Sequence, residues 1–245
     1  GWNSPAGFRH PGLHEYEGEG GLAWARSFSG LLVTCGLDHI LFMNEVPAAT
    51  YVYSPKPTVR HSLHGRIGTI PARLTGYGER WDGDRCILWA EGVVQQSAVF
   101  GEDLYLIRRI EAEVGGTEIH LSDRVVNHGF YRTPHMLCYH INIGHPVLAE
   151  GSRYLAPVRD VVWAAHAGDA YRRQGVGYRR LAGPQQNFHE QVWQHELGAN
   201  ANGEVPVALV NDRLGLGVEV VTRKDQFPCQ FEWQNLQAGQ YALGI

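Results

Sequence analysis

Four histidine-rich or arginine-rich stretches carry most of the chemistry open to this 245-residue chain. The first is His61-Ser62-Leu63-His64-Gly65-Arg66. On an extended chain His61 and His64 point to opposite faces, so the pair alone does not make a metal site, and it lacks the His-x-His spacing of cupin-type centres. Spacing by itself reads as a turn carrying surface histidines. The second runs Thr133-Pro134-His135-Met136-Leu137-Cys138-Tyr139-His140-Ile141-Asn142-Ile143-Gly144-His145-Pro146. On a strand over 136–143, Cys138, His140 and Asn142 share one face and Tyr139, Ile141 and Ile143 the other. An imidazole and an amide on an otherwise apolar strand need partners, because buried polar groups are costly unpaired. The hydroxyls of a sugar would supply them; so would an internal hydrogen-bonded pair. The third, His189-Glu190-Gln191-Val192-Trp193-Gln194-His195, lacks the His-Glu-x-x-His spacing of zinc proteases, which excludes that chemistry. The fourth, Tyr171-Arg172-Arg173 through Gly177-Tyr178-Arg179-Arg180, could grip a phosphate or carboxylate, stack on RNA bases, or stand as a solvated loop.

These groups need elements to hold them, and the pattern around them is one of strands. Residues Leu104–Val114 and Thr117–Val126 alternate apolar and polar side chains on either side of Gly115-Gly116, which predicts a hairpin with a tight primed turn. Strands are also expected at Leu31–Leu37, Ile67–Leu74, Arg85–Val94, Gln191–Leu197, Val205–Val210 and Leu216–Val221. Between them lie turns such as Asp82-Gly83 and Asn202-Gly203. Helical periodicity is almost absent, while glycine (30 residues) and aromatics (11%) are plentiful. The expected fold class is all-β, a large antiparallel sandwich or barrel, with residues 1–245 as one domain.

Composition narrows the function. A net charge of -4, with Lys56 and Lys224 as the only lysines, argues against a nucleic-acid partner. No apolar run is long enough for a membrane helix. Cys35, Cys86, Cys138 and Cys229 show no Cys-x-x-Cys pairing, so buried free thiols and a cytoplasmic location are expected. No G-x-S-x-G, Walker or Rossmann motif occurs, and no cofactor is expected. The chain opens Gly1-Trp2-Asn3 and closes on the apolar Tyr241-Ala242-Leu243-Gly244-Ile245, which suggests a fragment, since termini are normally polar and frayed.

Taken in order, the His64-Gly65-Arg66 turn, the Leu104–Asn127 hairpin and the Thr133-Pro134…Tyr139-His140-Ile141-Asn142-Ile143-Gly144 strand resemble the galactose mutarotase (aldose 1-epimerase) superfamily. The likeness is to a branch with "HGR", "P-H-M-x-x-Y-H-x-N-x-G" and a terminal "Y-x-x-G-x-E-P". The resemblance implies a large β-supersandwich whose substrate is a free sugar. Matching the family position by position, His64 takes the place of the turn histidine and Arg66 that of the branch's arginine. Cys138 falls at the family's usual acid position. His140 lies two residues on, displaced by about 7 Å along the same strand face. The chain stops where the family's glutamate base would follow Ile245, and the resemblance suggests that earlier strands are missing too.

The chemistry so implied is anomer interconversion. A base removes the proton of the C1 hydroxyl while an acid protonates the ring oxygen; the ring opens, C1–C2 rotates, and the ring closes on the other face. Both steps move protons at oxygen, which suits histidine and carboxylate without metal or redox groups. His140 is the expected acid and His64 an assisting histidine. Arg66, His135 and Asn142 are expected sugar contacts, and Trp233 a stacking platform for a pyranose. Three alternatives stand beside this reading. One is a non-catalytic sugar-binding module on the same fold. The second is a metal-dependent sugar isomerase using His61, His64, His140 and Glu190. The third is RNA binding through Arg172, Arg173, Arg179 and Arg180. Oligomeric state is not legible in the sequence.

Overall fold

A computed structural model describes residues 30–48, 57–98, 101–165 and 177–245. The chain divides into two compact units. One is Thr34–Cys138; the other is Tyr139–Ile245 with the start of the first strand.

In the Tyr139–Ile245 unit the strands are β9 (Arg153–Leu155), β10 (Val158–Ala165), β11 (Gln191–Leu197), β12 (Glu204–Asn211), β13 (Leu216–Arg223), β14 (Gln230–Asn235) and β15 (Ala242–Gly244). The strands β1 (Leu32–Leu37) and β8 (Met136–Ile143) run through the divide between the units. A six-stranded sheet has the order β1-β8-β15-β14-β11-β10, and a three-stranded sheet the order β13-β12-β9. Period-two alternation places Ile141 and Ile143 of β8, Leu243 of β15, Trp193 and Leu197 of β11, and Val205, Val207 and Leu209 of β12 in one apolar core with Tyr154 and Tyr178.

The Thr34–Cys138 unit holds β2 (Asn44–Pro47) paired with β3 (Thr58–His61). It also holds a four-stranded antiparallel sheet, β4 (Arg73–Asp82), β5 (Arg85–Ser97), β6 (Asp103–Glu113) and β7 (Ile119–Asn127). Its core gathers Leu37, Ile67, Leu104 and Leu106, with Val94, Val125 and Leu137 packed against them.

The β6–β7 hairpin forms as expected, with Ile110 facing Leu121 and Ala112 facing Ile119. Its connection is wider than a two-residue primed turn. Val114 continues the ladder by donating its N–H to the Cys86 carbonyl, and among the hairpin's turn residues only Gly115 takes a positive φ. The stretch Ile67–Leu74 is not one strand: Ile67–Thr69 is a short 3-10 turn, and β4 begins at Arg73. Gly76 and Gly78 lie within β4. There the Trp89 indole of β5 covers them, and a Cβ at Gly76 would come within 3.1 Å of its ring. Arg109 stacks on the same indole, 4.3 Å from the ring centroid. None of the four cysteines is in a disulfide, but only Cys35 is fully buried, and Cys229 is exposed, correcting the expectation of buried thiols. No helix among the described residues is long and apolar enough to cross a membrane.

Candidate functional site

In the Thr34–Cys138 unit the histidine–glycine–arginine turn is seated by main-chain bonds. The Gly36 N–H donates to the His64 carbonyl, the Arg66 N–H to the Gly36 carbonyl and the His64 N–H to the Leu41 carbonyl, each at 2.9 Å. His64 and Gly65 both take left-handed backbone conformations, φ 59° and 73°. Position 65 must be glycine, because a Cβ there would run into the carbonyl oxygens of His39 and Gly36.

That backbone brings five ionisable side chains around Arg66. The Arg66 Nε donates to Asp38 Oδ2 at 2.8 Å and Nη2 to Glu102 Oε1. Both carboxylates are buried. Burial alone would lower the Arg66 pKa, but the Asp38 and Glu102 charges outweigh it and hold the guanidinium more firmly protonated. His61, also buried, has Nδ1 3.8 Å from Asp38 Oδ2, and its ring stacks on His39 at 4.9 Å between centroids. The His39 Nε2–H donates to the Phe42 carbonyl at 2.5 Å. Burial, reinforced by His39, pushes His64 down to about 4, so its imidazole is neutral at pH 7. His61 is lowered by the same desolvation, against the pull of Asp38. A neutral His64 can give or take a hydrogen bond but is no reservoir of protons. Among the described residues no group of three or more His, Cys, Asp or Glu has the arrangement of a metal site. Asp38, His39 and Glu102 are the residues sequence reasoning missed. Asp38-His39 directly follows an apolar strand, which was a signal; Glu102 gave none.

The second group lies in the Tyr139–Ile245 unit, on the face of the six-stranded sheet opposite its core. Alternation carries His140 and Asn142 of β8, Gly244 of β15 and Trp233 of β14 to that face, with Gly244 paired across to both Asn142 and Trp233. Glycine at 244 is what admits His140, since a Cβ there would overlap the imidazole. The His140 ring meets Trp233 edge-on, 5.5 Å between centroids and 71° between planes. The Trp233 Nε1–H donates to Glu190 Oε2 at 2.9 Å, fixing the indole. Further along the face Phe231 and Trp163 form another edge-to-face pair at 6.4 Å, with Trp163 partly exposed. Imidazole, carboxylate and aromatic faces thus stand together, as recognition of a polar ring with an apolar side requires.

Of the expected contacts, His140 and Trp233 are brought together in one unit, and His64 and Arg66 in the other. His135 is exposed in the segment between β7 and β8. Asn142 is fully buried; its main-chain N–H donates to the Leu31 carbonyl at 2.7 Å and its Nδ2 to the Gly30 carbonyl at 3.0 Å. Tyr171, Arg172 and Arg173 of the arginine-rich stretch lie outside the described residues, while Arg179 stacks on Tyr178 at 4.9 Å.

The whole chain, residues 1–245, matches the family described as Domain of unknown function (DUF4432). The chain belongs to the DUF4432 family. No curated protein sequence matches it. Among solved structures this DUF4432 chain is similar to a protein of Klebsiella pneumoniae subsp. pneumoniae MGH 78578 named "putative aldose 1-epimerase". The two share 24% identity with a TM-score of 0.84. All of the DUF4432 chain is covered, and it spans 61% of that protein. The fold is accordingly all-β and galactose mutarotase-like, as the sequence resemblance implied.

Proposed function

We propose that this DUF4432 protein binds a free aldose and interconverts its anomers by acid–base ring opening. The observation that carries the reading is the His140 imidazole set against Trp233, itself anchored by Glu190, on a sheet face where that imidazole fits only because residue 244 is glycine. In this reading the indole takes the apolar side of the pyranose and His140 delivers a proton to the ring oxygen as the C1–oxygen bond opens, while water takes the proton of the C1 hydroxyl. Asn142 acts by holding β8 rather than by touching sugar. For His64, Arg66 and His135 of the Thr34–Cys138 unit, a part in sugar binding is what the family resemblance implies.

The test is to add freshly dissolved α-anomers of common aldoses to the protein and follow equilibration by polarimetry or NMR. Catalysed exchange is expected, slowed roughly 10²-fold or more in His140→Ala and less in His64→Ala. Saturable binding without faster exchange would instead assign a non-catalytic sugar-binding module. Neither binding nor exchange with any aldose would end the proposal.

A further inference from the structure

Two cysteines that stand 103 positions apart in the sequence, Cys35 and Cys138, meet in the fold. They occupy β1 and β8, which are neighbours in the six-stranded sheet. The strands run antiparallel: the Asn142 N–H donates to the Leu31 carbonyl, and at the other end Gly36 packs its Cα against the Met136–Leu137 main chain. That register sets Cys35 across from Cys138, and the two thiols are hydrogen-bonded to each other. Neither is in a disulfide, Cys35 is fully buried, and Cys138 keeps partial exposure. Opposed residues of antiparallel strands have Cα atoms about 4.5–5.5 Å apart, within the roughly 4.4–6.8 Å that a disulfide spans.

We propose that Cys35 and Cys138 form a redox-active dithiol that a hydroperoxide converts reversibly to a disulfide. The assignment of roles follows from exposure. Cys138 is the more exposed of the two residues, and the hydrogen bond from Cys35 favours its thiolate, against the opposing effect of burial. The Cys138 sulfur attacks one peroxide oxygen, the O–O bond breaks, and the departing oxygen takes a proton. Cys138 is then a sulfenic acid. The Cys35 sulfur attacks the Cys138 sulfur, the S–O bond breaks, and water leaves with the Cys35 proton. Two thiols lose two electrons and one peroxide gains them; with hydrogen peroxide the products are a disulfide and two waters. Cys138 precedes His140 by two residues on the same side of β8, so the bond would tie β1 to β8 beside the proposed acid. The dithiol itself does not depend on the sugar reading.

The experiment uses the full chain carrying Cys86→Ser and Cys229→Ser, treated with hydrogen peroxide, denatured, alkylated and mapped by mass spectrometry. The expected product is lighter by two hydrogens, takes up no alkylating agent, and yields a linked peptide joining positions 35 and 138. Dithiothreitol should restore two alkylatable thiols. In a parallel Cys35→Ser chain, Cys138 should stop at the sulfenic acid or be driven to sulfinic acid. Two thiols still alkylatable after peroxide, or Cys138 over-oxidised while Cys35 is present, would overturn the proposal. The unaltered chain, mapped the same way, gives the same decision without the serines: linkage through Cys86 or Cys229 in place of 35–138 also refutes it.

Discussion

The sheets of the Tyr139–Ile245 unit and the four-stranded sheet of the Thr34–Cys138 unit are built from the same period-two pattern and use it differently. In the first, Trp193, Leu209, Leu243 and Tyr154 are fully enclosed, and the enclosure takes in polar groups too. Gln234 Nε2 donates to Glu232 Oε1 at 2.8 Å, and the Tyr154 hydroxyl lies 3.3 Å from His195 Nδ1. Burial pushes the Glu232 carboxyl well up, opposed by Gln234 and Arg179, drives His195 down to about 4 and raises Tyr154. Along one face of β6 in the second sheet, by contrast, Leu104 and Leu106 are 3% exposed, Arg108 pairs with Asp123, Ile110 is 39% exposed, and Val114 just beyond the strand reaches 59%. Tyr77, Trp81, Leu88 and Ile119 share that open end. Alternation chooses a face; it does not say how far along the strand the face is covered.

Matched substitutions should break this comparison if it is wrong. Trp193→Ala removes a fully enclosed indole and is expected to cost about 3–5 kcal/mol in denaturant unfolding, whereas Trp81→Ala should stay within about 0.5 kcal/mol. Equal effects would refute the contrast. In the other unit the expensive site is polar. Arg66→Ala strands two buried carboxylates and should cost about 3 kcal/mol, the low end for a broken buried pair because the guanidinium is partly exposed. Arg66→Lys should recover only part of that loss, lacking the fork that reaches both partners.

Acidity sharpens the picture. His195 is lowered in the folded state, so the unfolded chain binds its proton first. The stability it permits is complete above pH 6.5 and is lost as pH falls towards 4, about 3 kcal/mol in all. His195→Gln should flatten that acid limb of a stability–pH curve. Glu232 is raised, so its effect runs the other way. Stability falls as pH rises above the ordinary carboxyl range, by at most about 1.4 kcal/mol per pH unit, and Glu232→Gln should remove the slope. The smallest effect is local. Gly244→Ala should cost about 1 kcal/mol or less while displacing the His140 ring, visible as a shift of its Cε1–H NMR signal. An unmoved signal would deny that glycine sets the imidazole's place.

Much of the fold was legible because a half-buried strand writes its faces into alternate residues: the β6–β7 hairpin, β11, β12 and β13 follow their patterns closely. Ile67–Leu74 misled because a short apolar stretch serves a 3-10 turn as well as a strand. Within the candidate site, His140 and Asn142 were correctly placed on one side of β8, again by alternation. Glu190's hold on Trp233 and the Asp38–Arg66–Glu102 bridge were not, since neither spacing nor residue type says which distant carboxylate an indole or guanidinium will meet.

The residue order alone therefore determined strands, turns and facing, all of which depend on neighbours two to four positions away. Tertiary structure decided the rest: which carboxylates neutralise Arg66, which glycine yields its place to His140, and that Cys35 comes to lie beside Cys138. Such pairings are set by sheet order and register, and these depend on the packing of the whole chain rather than on any short stretch of it.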